Sequence, residues 1–382
     1  MKLNKLVLLS AAFASGLTLV SCGAQQKSEE TKSEVKSQEV QSEVKSEQQS
    51  EQAQEVKGYV GLGHVANYAY TAAVAATDTA AAKPHAGQID ATAAMVVFDK
   101  DGKVLENRID VVQVKFTTTE DNDGLQLTNA VDGDIKTKLE LGTNYNMVKF
   151  GHAVAEVDAQ IESFADWTIG KTLAEIKAAL NGTKLAEGTL ATCTINVKDF
   201  VDAMEVAWAL KDEEEVTLPE SYSVGVNFKS GLYYSNNKEV TIDLGGVVVA
   251  DGKVIAAQID ALDLQFVPAA DSIAFNDNTK YVKKENDTVV DNAVSKKELG
   301  DAYAMKLSET VTHGSEREWY EHADIIEHLV VGKTAAQIAA LTQEDFSAAN
   351  ATITVSAYIK TLSTAAAYAV LEHVGPQAEA QA

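Results

Sequence analysis

The residues with the clearest potential for chemistry are two threonines, each in a seven-residue segment that occurs twice. Residues 349–355 read Ala-Asn-Ala-Thr-Ile-Thr-Val, and residues 191–197 read Ala-Thr-Cys-Thr-Ile-Asn-Val. Each segment places a threonine hydroxyl after small residues, and each leads through a strand or loop into an Ala-rich amphipathic segment. A motif that recurs with its surroundings suggests one task performed twice, either packing or chemistry.

An acidic residue precedes each threonine at the same spacing. Glu187 lies seven residues before Thr194, and Asp345 lies seven residues before Thr352. An aromatic residue follows each threonine, again at equal spacing. The shared spacing extends the similarity well beyond the motif itself.

The motifs belong to a longer internal repeat, which contains an Asp-Gly block, a Leu-Gly segment with a later Tyr-x-Met, and a Gly-Lys-Thr block. The Asp-Gly blocks predict β-hairpins, and Thr after Gly-Lys predicts the N-cap of a helix. Strands first and helices later favour an α+β class with an antiparallel sheet and packed helices in each copy. The paired blocks are residues 101–104 and 251–254, 141–147 and 299–305, and 170–172 and 332–334.

The repeat and the composition together predict the domain organisation. About 320 residues follow a polar N-terminal stretch, enough for two domains with cores of their own. The acidic, Pro-containing residues 211–219 read as the linker between the copies. The predicted parts are a signal peptide and lipobox (1–22), a disordered linker (23–57), domain 1 (58–215), domain 2 (216–375) and a disordered tail (376–382).

The N-terminus predicts export and a lipid anchor. Lys2 and Lys5 precede an apolar run, residues 6–20, that is too short for a membrane span. The run ends in Leu-Val-Ser-Cys, which resembles a bacterial lipobox with Cys22 as the acylated residue. The alternative is an ordinary signal peptide with a chance cysteine. The lipobox places the protein on the outer face of the cytoplasmic membrane or at the cell surface.

Composition excludes several classes of function. The formal net charge is −24, with 32 basic against 56 acidic residues. No basic patch can neutralise nucleic-acid phosphates or hold the chain flat on anionic lipid. With Cys22 acylated, Cys193 has no intramolecular disulfide partner, and one cysteine cannot build a Cys/His metal framework.

Two other motifs contain residues that could form chemical sites. A phosphate loop needs a glycine five residues before Gly-Lys, where this chain has Ala165 or Glu327. His322 and His328 lie in a segment rich in possible metal ligands, but they are not one helical turn apart. We therefore favour a solvated helix face there over a metal site.

The second copy resembles a known family. Residues 299–305, 318–321, 331–334 and 351–355 are similar to the two-domain flavinylated lipoproteins of bacterial extracellular electron transfer. Their modules resemble the covalent-flavin domains of Na⁺-pumping and Rnf-type membrane oxidoreductases. In that family a flavin transferase attaches FMN through its phosphate to a threonine hydroxyl. The resemblance covers both repeats, about five-sixths of the chain.

The resemblance implies attachment at Thr352 and at Thr194, one FMN in each domain. Thr192 is the alternative in the first copy, and Thr194 is preferred because its offset aligns Glu187 with Asp345. Small neighbours give the phosphate and the transferase access to the backbone. The upstream acids are expected to hold Mg²⁺ during transfer, since hard cations prefer carboxylate oxygen.

The Tyr-x-Met segments supply residues suited to contact a flavin ring. Tyr145 and Met147 in the first copy match Tyr303 and Met305 in the second. Aromatic and polarisable side chains pack well against an isoalloxazine ring. An ordinary core role explains them equally well.

The family implies a surface-anchored electron carrier without substrate-turnover residues. It would relay electrons from a membrane quinol-oxidising partner to extracellular acceptors through covalent FMN. The main alternative is a non-enzymatic lipoprotein that binds a small ligand or partner without a cofactor. A second alternative is a structural surface module.

Overall fold

The structure is a computed structural model that describes residues 56–233, 237–285, 288–291, 293–308, 311–312 and 314–373. The predicted signal peptide with Cys22, residues 23–55 of the predicted linker, and the predicted tail at 376–382 lie outside these ranges.

The strands form two antiparallel sheets and two small hairpins. The first sheet has the order β4-β3-β2-β1-β7, and the second has the order β11-β10-β9-β8. The hairpins pair β5 with β6 and β12 with β13. The strands are β1 (Val56–Thr71), β2 (Ala86–Phe98), β3 (Val104–Thr118), β4 (Leu125–Leu127), β5 (Leu180–Asn181), β6 (Lys184–Leu185), β7 (Val216–Leu218), β8 (Ser223–Leu232), β9 (Glu239–Ala250), β10 (Lys253–Ala269), β11 (Ser272–Phe275), β12 (Lys283–Glu285) and β13 (Thr288–Asp291).

In each repeat the helices follow the long strands of the sheet, and in the first repeat the short β5 and β6 come between helices. Two short 3₁₀ helices, Gly142–Tyr145 and Gly300–Tyr303, occupy the same place in the two copies. The α-helices are α1 (Lys138–Leu141), α2 (Met147–Gly151), α3 (Val157–Thr168), α4 (Leu173–Ala178), α5 (Lys198–Ala209), α6 (Lys296–Leu299), α7 (Trp319–Val330), α8 (Ala335–Ala339), α9 (Gln343–Ala348) and α10 (Ser356–His373). Among the helices in the described ranges, none combines the length and apolar character needed to cross a membrane.

The locally encoded features agree with the sequence predictions. Antiparallel hairpins form at both Asp-Gly blocks, where β2 pairs with β3 and β9 pairs with β10. Asp251 and Gly252 both have positive φ, 50° and 71°, as a two-residue type I′ turn requires. Thr172 and Thr334 cap α4 and α8 with their side chains.

Alternate side chains of the long strands enter different cores. In β2, Met95 and Val97 face the second sheet, whereas Val96 and Phe98 face the helices of their own repeat. Such strands are covered on both faces and therefore read as almost continuous apolar runs. The α+β class with antiparallel sheets and packed helices is confirmed.

The two sheets pack face to face around a common inner core. Phe116 and Phe266, which hold equivalent positions in the repeat, meet there with ring centroids 5.0 Å apart. Helices α3 to α5 cover the outer face of the first sheet, and α7 to α10 cover that of the second. The layers therefore run helices, sheet, sheet, helices.

Part of the predicted linker is a strand. Residues 216–218 form β7, which pairs with the first strand of the chain, Leu218 opposite Val56. Asp212 also donates its backbone N–H to the Val60 carbonyl at 3.0 Å. This segment returns to the first sheet because the edge of β1 offers free backbone groups.

The loops repeat in detail. Thr137 and Ser295 cap α1 and α6 through the same two-way capping box. Gly142 and Gly300 then turn the chain with φ of 48° and 51°. The segments that carry the predicted ring-contact residues thus begin with the same backbone geometry in both copies.

Candidate functional site

Thr194 lies in an irregular loop between β6 and α5, and its side chain is exposed. Its backbone N–H donates to Gln160 Oε1 at 2.8 Å, and its hydroxyl reaches the same oxygen at 3.2 Å. The motif, predicted as strand or loop, is a loop. A side chain from a neighbouring helix fixes its position.

Gln160 connects Thr194 to Met147. It lies on α3 with no exposed surface, and its Nε2 donates to the Ala155 carbonyl at 2.8 Å. The same nitrogen lies 3.6 Å from Met147 Sδ. The fold therefore brings Thr194 and Met147, predicted from separate motifs, to opposite sides of one buried amide.

The backbone of Met147 is held by the start of the next helix. Glu156, the N-cap residue of α3, accepts the N–H of Met147 at 2.7 Å and that of Val148 at 3.3 Å. A carboxylate that accepts backbone N–H groups is a strong positioning device, because charge-assisted hydrogen bonds are about twice as strong as neutral ones.

Thr194 and Met147 line a cleft of about 660 Å³, which we call the Thr194 cleft. Clefts of this size accommodate small organic ligands. Asp90 and Gln113 from the sheet form part of its wall. Its lining further includes Lys138, His152 and Asp199.

Tyr145 lies behind the same wall. It lines a smaller pocket of about 320 Å³ that shares Gln113 and Lys138 with the Thr194 cleft. Its hydroxyl lies 3.4 Å from Gln113 Oε1, and the Lys138 Nζ lies 5.5 Å from its ring centroid. Burial raises the pKa of Tyr145. Tyr145 and Met147 thus flank one wall rather than share one cavity.

The second copy repeats the arrangement around Thr352 with different side chains. Thr352 is exposed, and its N–H donates to His322 Nδ1 at 3.3 Å. His322 Nε2 lies 2.7 Å from Ser315 Oγ, and the Ser315 N–H donates to the Met305 carbonyl at 3.0 Å. His322 is therefore the counterpart of Gln160.

The helix that carries His322 corrects one expectation. Its face was predicted to be solvated, but His322 is 1% exposed and Glu327 is 7% exposed. His328 lies on the exposed side, so the two histidines do not share a face, as the spacing indicated. Burial, together with the charge of Arg317, lowers the pKa of His322. Within the described ranges, no group of three or more His, Cys, Asp or Glu side chains is arranged to hold a metal ion.

Met305 and Tyr303 are placed by local contacts. Glu318 accepts the N–H of Met305 at 2.9 Å, as Glu156 does for Met147. The Tyr303 ring lies 6.4 Å from that of Tyr281 and 3.8 Å below the Lys280 ammonium. Tyr303 therefore already has aromatic and cationic neighbours from its own chain.

The two upstream acids occupy different settings. Asp345 lies in the first turn of α9, where one carboxylate oxygen accepts both the N–H and the hydroxyl of Thr342 at 2.8 Å. These bonds lower the pKa of Asp345. Glu187 is exposed in a turn and does not line the Thr194 cleft. The geometry gives Asp345 a helix-capping role.

The geometry also bears on the register of the first motif. The Thr192 hydroxyl is hydrogen-bonded to Ser163. Both threonines are exposed, but only Thr194 shares with Thr352 an N–H bound by the equivalent helix residue. By position, Thr194 is the counterpart of Thr352.

Sequence reasoning missed Gln160 and Lys138 at this site. Gln160 and His322 stand ten residues before the repeated Gly-Lys. Lys138 and Lys296 each follow a helix-capping Thr or Ser directly. Aligning the two copies position by position would have marked both pairs.

Comparisons of the chain with protein-family models, with curated proteins and with solved structures return no match.

Proposed function

We propose that this protein is a lipid-anchored electron carrier with FMN esterified to Thr194 and Thr352. It would pass electrons from a membrane quinol-oxidising partner to extracellular acceptors. The observation that supports this function best is the exposed Thr194 hydroxyl on the wall of a 660 Å³ cleft that Met147 also lines. Attached FMN would supply the redox chemistry, and the chain would hold it in place.

The first repeat fits such a group in three respects. The hydroxyl is exposed, so a transferase can reach it. The cleft beside it has the volume of a small-molecule site. Gln160 holds the loop at its backbone, so esterification of the hydroxyl leaves the 2.8 Å bond from the Thr194 N–H in place.

The second repeat fits in part. The Thr352 hydroxyl is exposed, and its N–H is held by His322 in the same way. Tyr303, the residue expected beside a ring, instead packs against Tyr281 and Lys280. FMN on Thr352 would therefore meet a more occupied surface than FMN on Thr194.

A small-ligand-binding lipoprotein without covalent cofactor is the second candidate. It is favoured by the setting of Asp345, whose carboxylate is already engaged by Thr342 at 2.8 Å. An acid engaged in this way is less available to hold Mg²⁺ during attachment.

The test is to produce the chain together with a flavin transferase, denature it, and measure bound flavin by absorbance and peptide mass. We expect two flavins per chain, one lost in Thr194→Val and one in Thr352→Val. Thr192→Val and Thr354→Val are the controls and should keep both. A colourless wild-type chain contradicts the proposal, as does a Thr194→Val/Thr352→Val double variant that remains yellow.

A further inference from the structure

The two repeats differ in how they treat one equivalent lysine. Lys296 forms an ion pair with Asp263, with Nζ 3.2 Å from Oδ2 and the side chains 13% and 6% exposed. Lys138 occupies the equivalent position at the start of α1. Gln113 stands where the second repeat has Asp263, three residues after the repeated Ile-Asp. The first repeat thus has the lysine without the carboxylate that pairs with it in the second.

The carboxylates near Lys138 are bonded elsewhere. Asp90 accepts from Gln88 Nε2 at 2.7 Å and from Gln113 Nε2 at 2.6 Å. Asp199 accepts from Asn67 Nδ2 at 3.0 Å. Asp110 accepts backbone N–H groups from residues 111 and 139 at 2.7 and 3.1 Å.

The Lys138 ammonium therefore retains its hydrogen-bonding capacity. Within the described part of the chain, no hydrogen-bond acceptor lies at bonding distance from its Nζ, and the Tyr145 ring centroid lies 5.5 Å away. Its side chain lines both the Thr194 cleft and the pocket behind it. A half-buried cation with three unused donors is a ready partner for an electron-rich ligand edge.

In the second repeat, side chains of the protein itself surround the equivalent lysine. Tyr281 is 8% exposed and hydrogen-bonded to Asp263, and it packs beside Tyr303. There the Asp263 carboxylate pairs with the Lys296 ammonium and offsets its charge.

We propose that the Thr194 cleft binds the ring of a flavin without covalent help, with the Lys138 ammonium donating to the carbonyl-bearing edge of that ring, and that the second repeat has no such site. The identity of the ring rests on the proposed function. The consequence is an asymmetric protein, in which one flavin ring is seated in a cleft and the other is attached at the surface.

The test uses the full chain made without a transferase, titrated with riboflavin and followed by quenching of flavin fluorescence. We expect one site per chain, with FMN bound within about threefold of riboflavin because the ring is what is recognised. Inorganic phosphate should not compete. If FMN bound, riboflavin did not bind, and phosphate displaced the FMN, the lysine would recognise phosphate. That result would overturn the proposal.

Lys138→Met should weaken riboflavin binding about tenfold or more, as expected for the loss of a charge-assisted hydrogen bond. Lys136→Met is the matched control, because Lys136 lines the smaller pocket but not the Thr194 cleft. Equal binding by the wild type and Lys138→Met would refute the assignment. Circular dichroism and the thermal midpoint establish that both variants fold.

A second variant tests the comparison between repeats. Asp90 pairs with Gln113 across β2 and β3, whereas Thr241 pairs with Asp263 across β9 and β10. The double variant Asp90→Thr/Gln113→Asp rebuilds the second repeat's pair in the first. It should engage Lys138 in an ion pair and weaken riboflavin binding as much as Lys138→Met does. Retention of wild-type affinity would count against the proposal.

The two proposals fail separately. A chain that binds riboflavin through Lys138 but is never esterified loses the covalent carrier function and keeps the cleft. A chain that is flavinylated at Thr194, yet whose flavin fluorescence is the same in wild type and Lys138→Met, keeps the carrier function and loses the cleft assignment.

Discussion

At the scale of single residues, the loops of Thr194 and Thr352 are each held by one buried side chain that accepts the backbone N–H of the threonine. Gln160 does this with an amide oxygen and His322 with Nδ1. An amide and a neutral imidazole each combine an acceptor with a donor. The two side chains are therefore interchangeable for this task only while His322 is neutral.

We predict that His322→Gln is tolerated, whereas His322→Leu lowers the free energy of unfolding by about 1–3 kcal/mol, because Ser315 loses a buried partner and the Thr352 N–H its acceptor. Urea unfolding monitored by circular dichroism measures both. A leucine variant as stable as the glutamine variant would contradict the positioning role.

The same residue predicts a pH effect. Burial lowers the pKa of His322 in the folded state, so below about pH 6.5 the unfolded chain binds a proton that the folded chain resists. The wild type should lose stability relative to His322→Gln as the pH falls through this range. Parallel curves for the two proteins would exclude the linkage.

The threonines, methionines and tyrosines at these sites could be predicted because the chain repeats them at fixed spacing. Gln160 has no signature within its own helix, and only the offset from the repeated Gly-Lys that it shares with His322 marks it. The absence of a hydrogen-bond partner for Lys138 could not be predicted. It follows from which residue of β3 faces the lysine, and spacing along the chain does not show that.

At the scale of elements, the long helix of the second repeat lies directly on the backbone of its sheet. A Cβ at Gly225 on β8 would lie 2.1 Å from the Ala365 carbonyl oxygen of α10. This close contact determines where α10 lies on the sheet. The first turn of α10 directly follows the loop that contains Thr352. Small residues on both surfaces make the approach possible.

We predict that Gly225→Ala destabilises the protein by about 1–3 kcal/mol, because the helix backbone must move away from the sheet. Gly231→Ala on the same strand is the control, since its Cβ would meet no atom within 4 Å. The control should change stability by less than about 1 kcal/mol. Thermal and urea unfolding decide the question, and equal effects at the two positions would rule out the close approach.

Elements governed by local chemistry were predictable from the sequence. The Asp-Gly hairpins and the threonine caps depend on residues only a few positions apart, and both form as expected. Strand β7 did not follow the prediction, because its acidic and Pro-containing context resembles a linker. Its pairing depends on β1, more than 150 residues earlier.

At the scale of the whole molecule, polar contacts as well as the inner core join the repeats. His64 on β1 lies 4% exposed, with Nε2 3.2 Å from Glu298 Oε2 on α6 of the other repeat. Burial lowers the pKa of His64, but the Glu298 hydrogen bond and the charge of Asp260 more than offset it, so the pKa is raised. His64 therefore links the two repeats through a contact that favours its protonated form.

A histidine with a raised pKa stabilises the fold fully below its unfolded pKa and loses that contribution as the pH rises through the folded value. We predict that, as the pH rises above about 6.5, the wild type loses more stability than His64→Gln. His328→Gln, at an exposed histidine, is the control and should follow the wild type. If His64→Gln shows the wild-type pH dependence, the ion pair does not couple the repeats.

The shared core could not be predicted from the sequence. A strand covered by helices and a strand covered by a second sheet both read as apolar runs, so the pattern predicts burial without naming the partner. The inner faces of the two sheets, including Phe116 and Phe266, pack against each other.

An isolated half would turn that apolar face toward water. Strong self-association is the expected behaviour of either half made alone, since a second half of the same kind can cover the face that the first exposes. In the joined chain each half covers the other, at the high local concentration that a covalent link provides.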